Sequence, residues 1–375
     1  MTVLAFLSLA IWVYLLLLHG RFWQAGPVLP LTEPRSLPRV AIVVPARNEA
    51  PVIERSLRSL LAQDYRGPFQ VFLVDDDSDD GTGDRARAIG DPRLVVVSGA
   101  PRPAGWSGKL WAVSQGVAQA MAQPAEAEIL LLTDADIIHD PPHLAALVAQ
   151  LERGHLDMVS EMVALACDSW AERALVPAFV FFFQLLYPFA WVNDGLKSTA
   201  AAAGGTILIR ADALRRIGGI ERLKAALIDD VALAAAVKQG GRIWLGHASA
   251  ARSVRPYPTV GDIWRMITRT AFVQLRFSWL LLVLTTLGMV VTWLVPPFAA
   301  IAGHGAARWY GATAWLMLAC SYVPTLRRFG RSPLWAIALP LVALFYAAAT
   351  IGSAIDHYAG RGVAWKGRAY RGQHG

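Results

Sequence analysis

Four stretches of this chain carry no charged side chain: residues 1–18, 277–307, 309–326 and 332–355. At about 1.5 Å per helical residue, each approaches or exceeds the ~30 Å hydrocarbon core of a bilayer. A segment that crosses lipid must satisfy its own backbone hydrogen bonds, so these stretches are predicted helices. Composition agrees. The chain is 55% hydrophobic and 17% charged, where a soluble domain carries about a quarter charged residues. A wholly soluble protein is not expected, and a disordered one is excluded. Two cysteines, Cys167 and Cys320, are too few for a disulfide framework or a cysteine-built zinc site.

The net charge of +7 is unevenly placed. Residues 277–375 hold 8 Lys+Arg and a single acid, Asp356, while residues 1–276 balance at 27 of each sign. A nucleic-acid binder carries its excess on the folded domain, so no nucleic-acid partner is expected. Basic residues flanking apolar runs instead mark the cytoplasmic side of a membrane. Residues 1–18 lack a basic leader and a small-residue cleavage site. They read as an uncleaved anchor, with Arg21 holding the next domain in the cytoplasm. Arg327, Arg328 and Arg331 place the loop between the second and third C-terminal windows inside. Three full spans would then put Arg361, Lys366, Arg368 and Arg371 outside. Pro296-Pro297 or Pro340 can mark a re-entrant segment instead, and the span count stays open. A fifth apolar run, 174–193, contains Pro177, Gln184, Pro188 and seven aromatics. It reads as an in-plane or buried element, with an ordinary core helix as the alternative.

Between the apolar ends the pattern alternates. Residues 39–46, 70–74, 94–97 and 128–132 read as short buried strands. Residues 49–63, 84–89 and 110–121 have helical spacing. Such alternation predicts an α/β domain with a mostly parallel sheet and helices on both faces. Ligands of such sheets bind at the carboxyl ends of strands. Three of those ends carry polar groups: Pro45–Glu49, Asp75–Asp80 and Asp134–Asp136. They are expected to meet in one crevice. No Gly-x-Gly-x-x-Gly or Walker turn is present.

The acidic clusters have competing readings. Asp76, Ser78, Asp80 and Gly81 imitate a calcium loop, but Arg87 stands where a bidentate Glu is needed. Asp134-Ala135-Asp136 can share a hard divalent cation such as Mg2+ or Mn2+. Asp229-Asp230 opens a helical stretch, where acids also cap and oppose the macrodipole. His139 and His143 read as packing residues.

Taken in order, these segments resemble glycosyltransferase family 2, the inverting nucleotide-sugar enzymes with a GT-A fold. The resemblance rests on Pro45-Ala46-Arg47-Asn48-Glu49, Val74–Thr82, Gly108–Gly116 with Lys109, Asp134-Ala135-Asp136, Gly204-Gly205-Thr206 with Ile209–Leu214, and Asp229-Asp230 with Leu233. Within the family it is similar to the hopene-associated, HpnB-like glycosyltransferases, which are related to the ceramide glucosyltransferase type. Val363–Tyr370 resembles the C-terminal segment of that group. The Gln-x-x-Arg-Trp motif of processive members is degenerate, with only Arg269 kept, so single-sugar transfer is expected.

The resemblance implies a GT-A domain, Rossmann-like with a mostly parallel sheet, carrying N- and C-terminal transmembrane helices. The implied organisation is an anchor at 1–20, a cytoplasmic catalytic domain at 38–255 that includes 174–193, an amphipathic interface segment at 256–277, a transmembrane region at 278–357 and a basic tail at 358–375. The implied donor contacts are Pro45, Ala46, Arg47, Glu49, Asp75, Asp76, Lys109, Asp134 and Arg269. Asp136 and Asp134 are the implied ligands of Mg2+ or Mn2+. Asp230 is the implied base, beside Asp229. A UDP-sugar donor, a lipid acceptor (a hopanoid or a polyprenyl lipid) and a location in the bacterial inner membrane complete the expectation. A polyprenyl-phosphate sugar transferase and a catalytically silent membrane scaffold remain as alternatives.

Overall fold

A computed structural model describes residues 1–224, 226, 228–359 and the backbone of 364–365 and 368–369. Most of the Val363–Tyr370 segment therefore lies outside the described residues. The chain separates into two compact units. One is built from Met1–Gly26, Cys167–Ala190 and Pro256–Val363, the other from Pro27–Ala166, Trp191–Arg255 and the tail. Cys167–Ala190 thus clusters with the helical unit, whereas the sequence grouping put 174–193 inside 38–255.

The α/β unit is organised by one sheet of eight strands. In chain order they are β1 (Val40–Ala46), β2 (Phe69–Asp75), β3 (Leu94–Ser98), β4 (Ile129–Thr133), β5 (Ile137–His139), β6 (Met158–Ala164), β7 (Thr206–Arg210) and β8 (Ile243–Ser253). Their spatial order is β3-β2-β1-β4-β7-β6-β8-β5. β1 to β4 run parallel to one another, β7 is antiparallel to β4 and β6, β8 is parallel to β6, and β5 is antiparallel to β8. The expected mostly parallel sheet is present.

The period-2 pleat explains how one run of Val and Ile serves two layers. Ile42, Val44, Val71 and Leu73 join one core with Ile53, Leu57 and Leu60 of helix Ile53–Leu61 and with Leu144, Leu147 and Leu151 of helix His143–Arg153. Val43 and Val74 point the other way, onto helix Gly108–Met121. A Cβ at Gly116 of that helix would lie 2.5 Å from Val43 Cγ1, so glycine lets helix and sheet approach closely. Helices therefore cover both faces.

Strand register sets the site. Ala46 pairs with Asp75, and β4 lies parallel on the other side of β1. Thr133 pairs with Thr206, so Gly204 and Gly205 enter β7 beside the exit of β4. At the far edge Ile137 pairs with Ser253, and Val254 N–H donates to Asp136 O at 2.9 Å. That ladder delivers Arg255 to Asp136.

In the helical unit, two stretches are long and apolar enough to cross a membrane among the described residues: Trp279–Ala302 and Pro333–Tyr358. The sequence left the count of C-terminal spans open, and two of its three windows meet this measure of length and composition. Ala306–Arg328 has 23 residues, but Trp309, Tyr310, Ser321, Tyr322 and Thr325 make it less apolar. The N-terminal helix Thr2–Leu17 has 16 residues, about 24 Å, which is short of a full hydrocarbon core. Residues 174–193 are not among the stretches long and apolar enough to cross a membrane. They fall in helix Trp170–Leu186 and the turn of helix Phe189–Val192. Ser169 and Glu172 close a capping box at the start of the longer helix. Its Phe181 is fully buried, with Phe22 and Tyr322 at ring distances of 5.4 and 5.1 Å.

Candidate functional site

The first two strand ends are knitted to each other. Asn48 and Asp77 take the left-handed conformation, which short polar side chains tolerate. Asn48 N–H donates to Ser78 Oγ at 3.0 Å, Glu49 N–H to Thr82 Oγ1 at 2.8 Å and Ala50 N–H to Asp80 Oδ2 at 2.9 Å. Arg47 Nη1 donates to the backbone oxygens of Asp76 and Asp77. Asp76 is buried, and its carboxylate lies 3.9 Å from Arg47. Asp75 Oδ1 accepts from Ser78 N–H at 3.2 Å. The acidic run therefore spends Asp75 and Asp80 on building its own turn, with Asp76 directed inward.

The second group surrounds Lys109. Ser107 caps helix Gly108–Met121, accepting from Leu110 N–H. Lys109 leaves the first turn of that helix and reaches the exit of β4. Its Nζ lies 2.7 Å from Asp134 Oδ1 and 3.8 Å from Asp229 Oδ2. Burial works against the ammonium, but Asp134, Asp229 and Asp230 outweigh it and hold the pKa above the usual lysine range. Asp229 and Asp230 open helix Asp229–Lys238. Gly204 N–H donates to Asp230 Oδ2 at 2.8 Å. Burial, then repulsion from Asp229, pushes the Asp230 carboxyl up to about 6, against the pull of Lys109 and two backbone N–H groups. Pro45, Lys109, Asp134, Gly204, Asp229 and Asp230 line one small cleft.

The third group is an ion triad. Arg255 Nε donates to Asp136 Oδ2 at 2.5 Å, and Arg255 Nη2 donates to Glu49 Oε1 at 2.8 Å. Arg255 was absent from the expected residues. Its signal is positional only, two residues past a strand whose partner edge could not be read from sequence. Behind it, a buried chain joins Thr133 to Glu161. Thr133 Oγ1 meets His139 Nε2 at 3.0 Å, His139 Nδ1 meets His143 Nδ1 at 2.8 Å, and His143 Nε2 meets Glu161 Oε2 at 2.5 Å. His139 and His143 are thus linked packing residues, and burial drives the His139 pKa well down.

The expected site residues divide by unit. Pro45, Ala46, Arg47, Glu49, Asp75, Asp76, Lys109, Asp134, Asp136, Asp229 and Asp230 all belong to the α/β unit, while Arg269 belongs to the helical unit. Arg269 follows helix Val260–Thr268 and is exposed. No three His, Cys, Asp or Glu side chains among the described residues gather into a metal cage. Asp134 and Asp136 offer hard oxygen donors, however, and Mg2+ commonly takes one or two carboxylates with the rest from phosphate and water. The donor set fits an ion that bridges to a diphosphate.

Comparison with known proteins places this geometry. Residues 41–218 match the family described as "Glycosyl transferase family 2". The chain is 26% identical over 299 residues to "Probable glycosyltransferase YdaM" of Bacillus subtilis (strain 168), spanning 73% of this chain and 67% of that protein. It is 29% identical over 111 residues to "4,4'-diaponeurosporenoate glycosyltransferase" of Staphylococcus haemolyticus (strain JCSC1435), spanning 30% of this chain and 28% of that protein. Among solved structures it is similar to the mannosyltransferase PcManGT from Pyrobaculum calidifontis, in complex with GDP-Man and Mn2+, with a TM-score of 0.54 and 21% identity over 95% of this chain and 98% of that one. The chain carries a glycosyltransferase family 2 domain of the GT-A fold and is a glycosyltransferase.

Proposed function

We propose that this glycosyltransferase moves one sugar from a nucleotide sugar, a UDP-sugar in the first instance, to a hydroxyl of a membrane lipid, inverting the anomeric carbon. The observation that carries this reading is Asp230: a carboxylate beside Asp229, with a pKa raised to about 6, in the cleft that Lys109 and Asp134 also line. A general base works best with a pKa near the operating pH.

In the proposed step the acceptor oxygen attacks the anomeric carbon as its proton passes to Asp230. The bond from the sugar to the diphosphate oxygen breaks, and the electron pair leaves with the nucleotide. Asp134 and Asp136 would hold Mg2+ or Mn2+, which when bound neutralises the leaving diphosphate. Lys109 adds a positive charge on the same side. Pro45–Glu49 and Asp76 are assigned to the base and ribose, where a carboxylate can accept the imide N–H of uracil.

Exposed apolar surface supports a lipid setting. Helix Trp279–Met289 buries none of its residues, and Trp279, Leu284 and Leu287 are 66%, 55% and 57% exposed. Soluble proteins rarely leave so large an apolar patch uncovered. The basic loop at Arg327–Arg331 supports a cytoplasmic side for that loop, and the proposed location is the bacterial inner membrane with the catalytic unit in the cytoplasm. The resemblance noted in the sequence favours a hopanoid acceptor, with polyprenyl phosphate as the alternative.

The test is nucleotide release by the detergent-purified chain with Mn2+ or Mg2+. UDP- and GDP-sugars are screened against hopanoid, ceramide and polyprenyl-phosphate acceptors. Release that requires one donor and one lipid is the expected result. Donor turnover with no dependence on any lipid removes the acceptor assignment, and an unchanged rate in Asp230→Asn removes the base.

A further inference from the structure

We infer that Arg255 is a built-in counter-ion that occupies the charge position of the divalent cation on Asp136 and must leave that oxygen for the cation to bind. The inference rests on the reading of Asp136 as a metal ligand. Both carboxylates of the Asp134-Ala135-Asp136 segment are held by protein cations, but in different ways. Lys109 faces Asp134 and Asp229 and is also drawn by Asp230, so three acids keep it in place. Arg255 has two carboxylate partners, Asp136 and Glu49.

The geometry permits exchange. Arg255 Nε lies 2.5 Å from Asp136 Oδ2, and a metal ion would bind such an oxygen at about 2.0–2.1 Å. A guanidinium and a dication on that oxygen would repel each other strongly in a partly buried site. Asp136 and Glu49 keep only 10% and 11% of their side chains exposed, whereas Arg255 keeps 35%. The carboxylates are thus the fixed partners, and the arginine is the one with room to move. Glu49 also gives it somewhere to go. Nη2 already donates to Glu49 Oε1 at 2.8 Å, so the guanidinium can release Asp136 and keep a charge-assisted bond.

The physical purpose is charge balance. Glu49 follows β1 and Asp136 follows β4, and the one guanidinium of Arg255 donates to both of these largely buried carboxylates. Arg255 supplies the positive charge between them that a dication would otherwise bring. Because coupling is reciprocal, a resident guanidinium lowers the affinity for the ion, and the ion in turn frees the arginine.

The measurement is Mn2+ binding by the purified full chain, read by the loss of the free-ion EPR signal, first with Mn2+ alone and then with UDP added. Arg255→Gln is expected to bind Mn2+ roughly tenfold more tightly than the parent, the ratio that corresponds to one pK unit of interaction. Arg255→Lys retains the charge and is expected to stay within a few-fold of the parent. It also serves as the folding control should the Gln variant be unstable. Adding Asp136→Asn to Arg255→Gln is expected to remove the gain. Equal or weaker Mn2+ binding by Arg255→Gln, with Asp136→Asn still abolishing it, overturns the counter-ion role alone. Mn2+ binding that survives Asp136→Asn removes the metal reading and this inference with it. No saturable binding by any variant in either titration also overturns both.

Discussion

Lys109 Nζ lies 2.7 Å from Asp134 Oδ1, which ties the first turn of helix Gly108–Met121 to the exit of β4. The same ammonium reaches toward Asp229 at 3.8 Å. Three segments far apart in the chain therefore share one positive charge. Burial first, and then repulsion from Asp229, raises Asp230 against the pull of that ammonium.

Activity should fall as acid protonates that base. With the Asp230 carboxyl at about 6, kcat/KM is expected to drop close to tenfold per pH unit below about pH 6. Asp229→Asn removes the repelling neighbour and should move the acid limb to lower pH. Lys109→Met removes an attracting charge and should move it higher. Initial rates of nucleotide release across pH 4.5–8 would read both shifts, and limbs that coincide in all three proteins would exclude Asp230 as the titrating group.

The same shift has a stability sign. The folded state holds the Asp230 proton more tightly than the unfolded chain, so the ionised carboxylate opposes folding at neutral pH. That opposition fades as pH falls from about 6 toward the unfolded value near 4. Asp230→Asn, while losing turnover, should therefore be more stable than the parent at pH 7, by up to about 3 kcal/mol. The two proteins should converge near pH 4. Thermal melts at both pH values would check this, and a destabilised Asn variant at pH 7 would contradict it.

Gly116→Ala tests the helix–sheet contact. Alanine favours a helix over glycine by about 1 kcal/mol, but its Cβ would meet Val43 at 2.5 Å and Val74 at 3.0 Å. Overpacking of a core typically costs about 1–3 kcal/mol, so a net loss of stability is expected in urea titration. A gain would mean the helix moves outward freely.

Glu161→Ala breaks a fully buried pair, His143 with Glu161. Leaving a buried hydrogen-bonding group without its partner typically costs about 1–3 kcal/mol. Glu161→Gln keeps an acceptor for His143 and should cost less. Chemical denaturation of the two variants gives the order, and equal stabilities would show that the pair contributes little.

Chelation addresses the ion itself. Transfer is expected to stop in EDTA and return with excess Mn2+ or Mg2+, while Asp136→Asn should not be rescued by either. Turnover that persists in EDTA would separate this chain from metal-dependent transfer.

Much of the α/β unit could be read in advance. Strands at 40–46, 69–75, 94–98 and 129–133 fall within one or two residues of the runs of Val, Ile and Leu that predict them. Local sequence decides these because a buried strand needs continuous apolar side chains on both faces. The acids at strand ends were visible for the same reason: they interrupt those runs. Residues 174–193 were harder. Hydropathy cannot tell a lipid-crossing helix from one buried among aromatics, and contacts such as Phe181 with Phe22 join residues more than 150 positions apart. Helix ends also shifted, with 49–63 shortened to Ile53–Leu61, because Asn48, Glu49 and Ala50 bond to the 78–82 turn instead.

By itself the sequence determined which residue types stand at the exits of β1, β2 and β4, and that apolar helices close the chain. Those properties are local, set by hydrophobic period and by the cost of placing charge in a strand. Only the tertiary structure decided which charges neutralise one another. Arg255 reaches Asp136 because β5 and β8 pair antiparallel at the sheet edge. Gly204 reaches Asp230 because β7 runs against β4. Strand order and direction are long-range choices, and electrostatic partners fall off too steeply with distance for any reading of neighbouring residues to assign them.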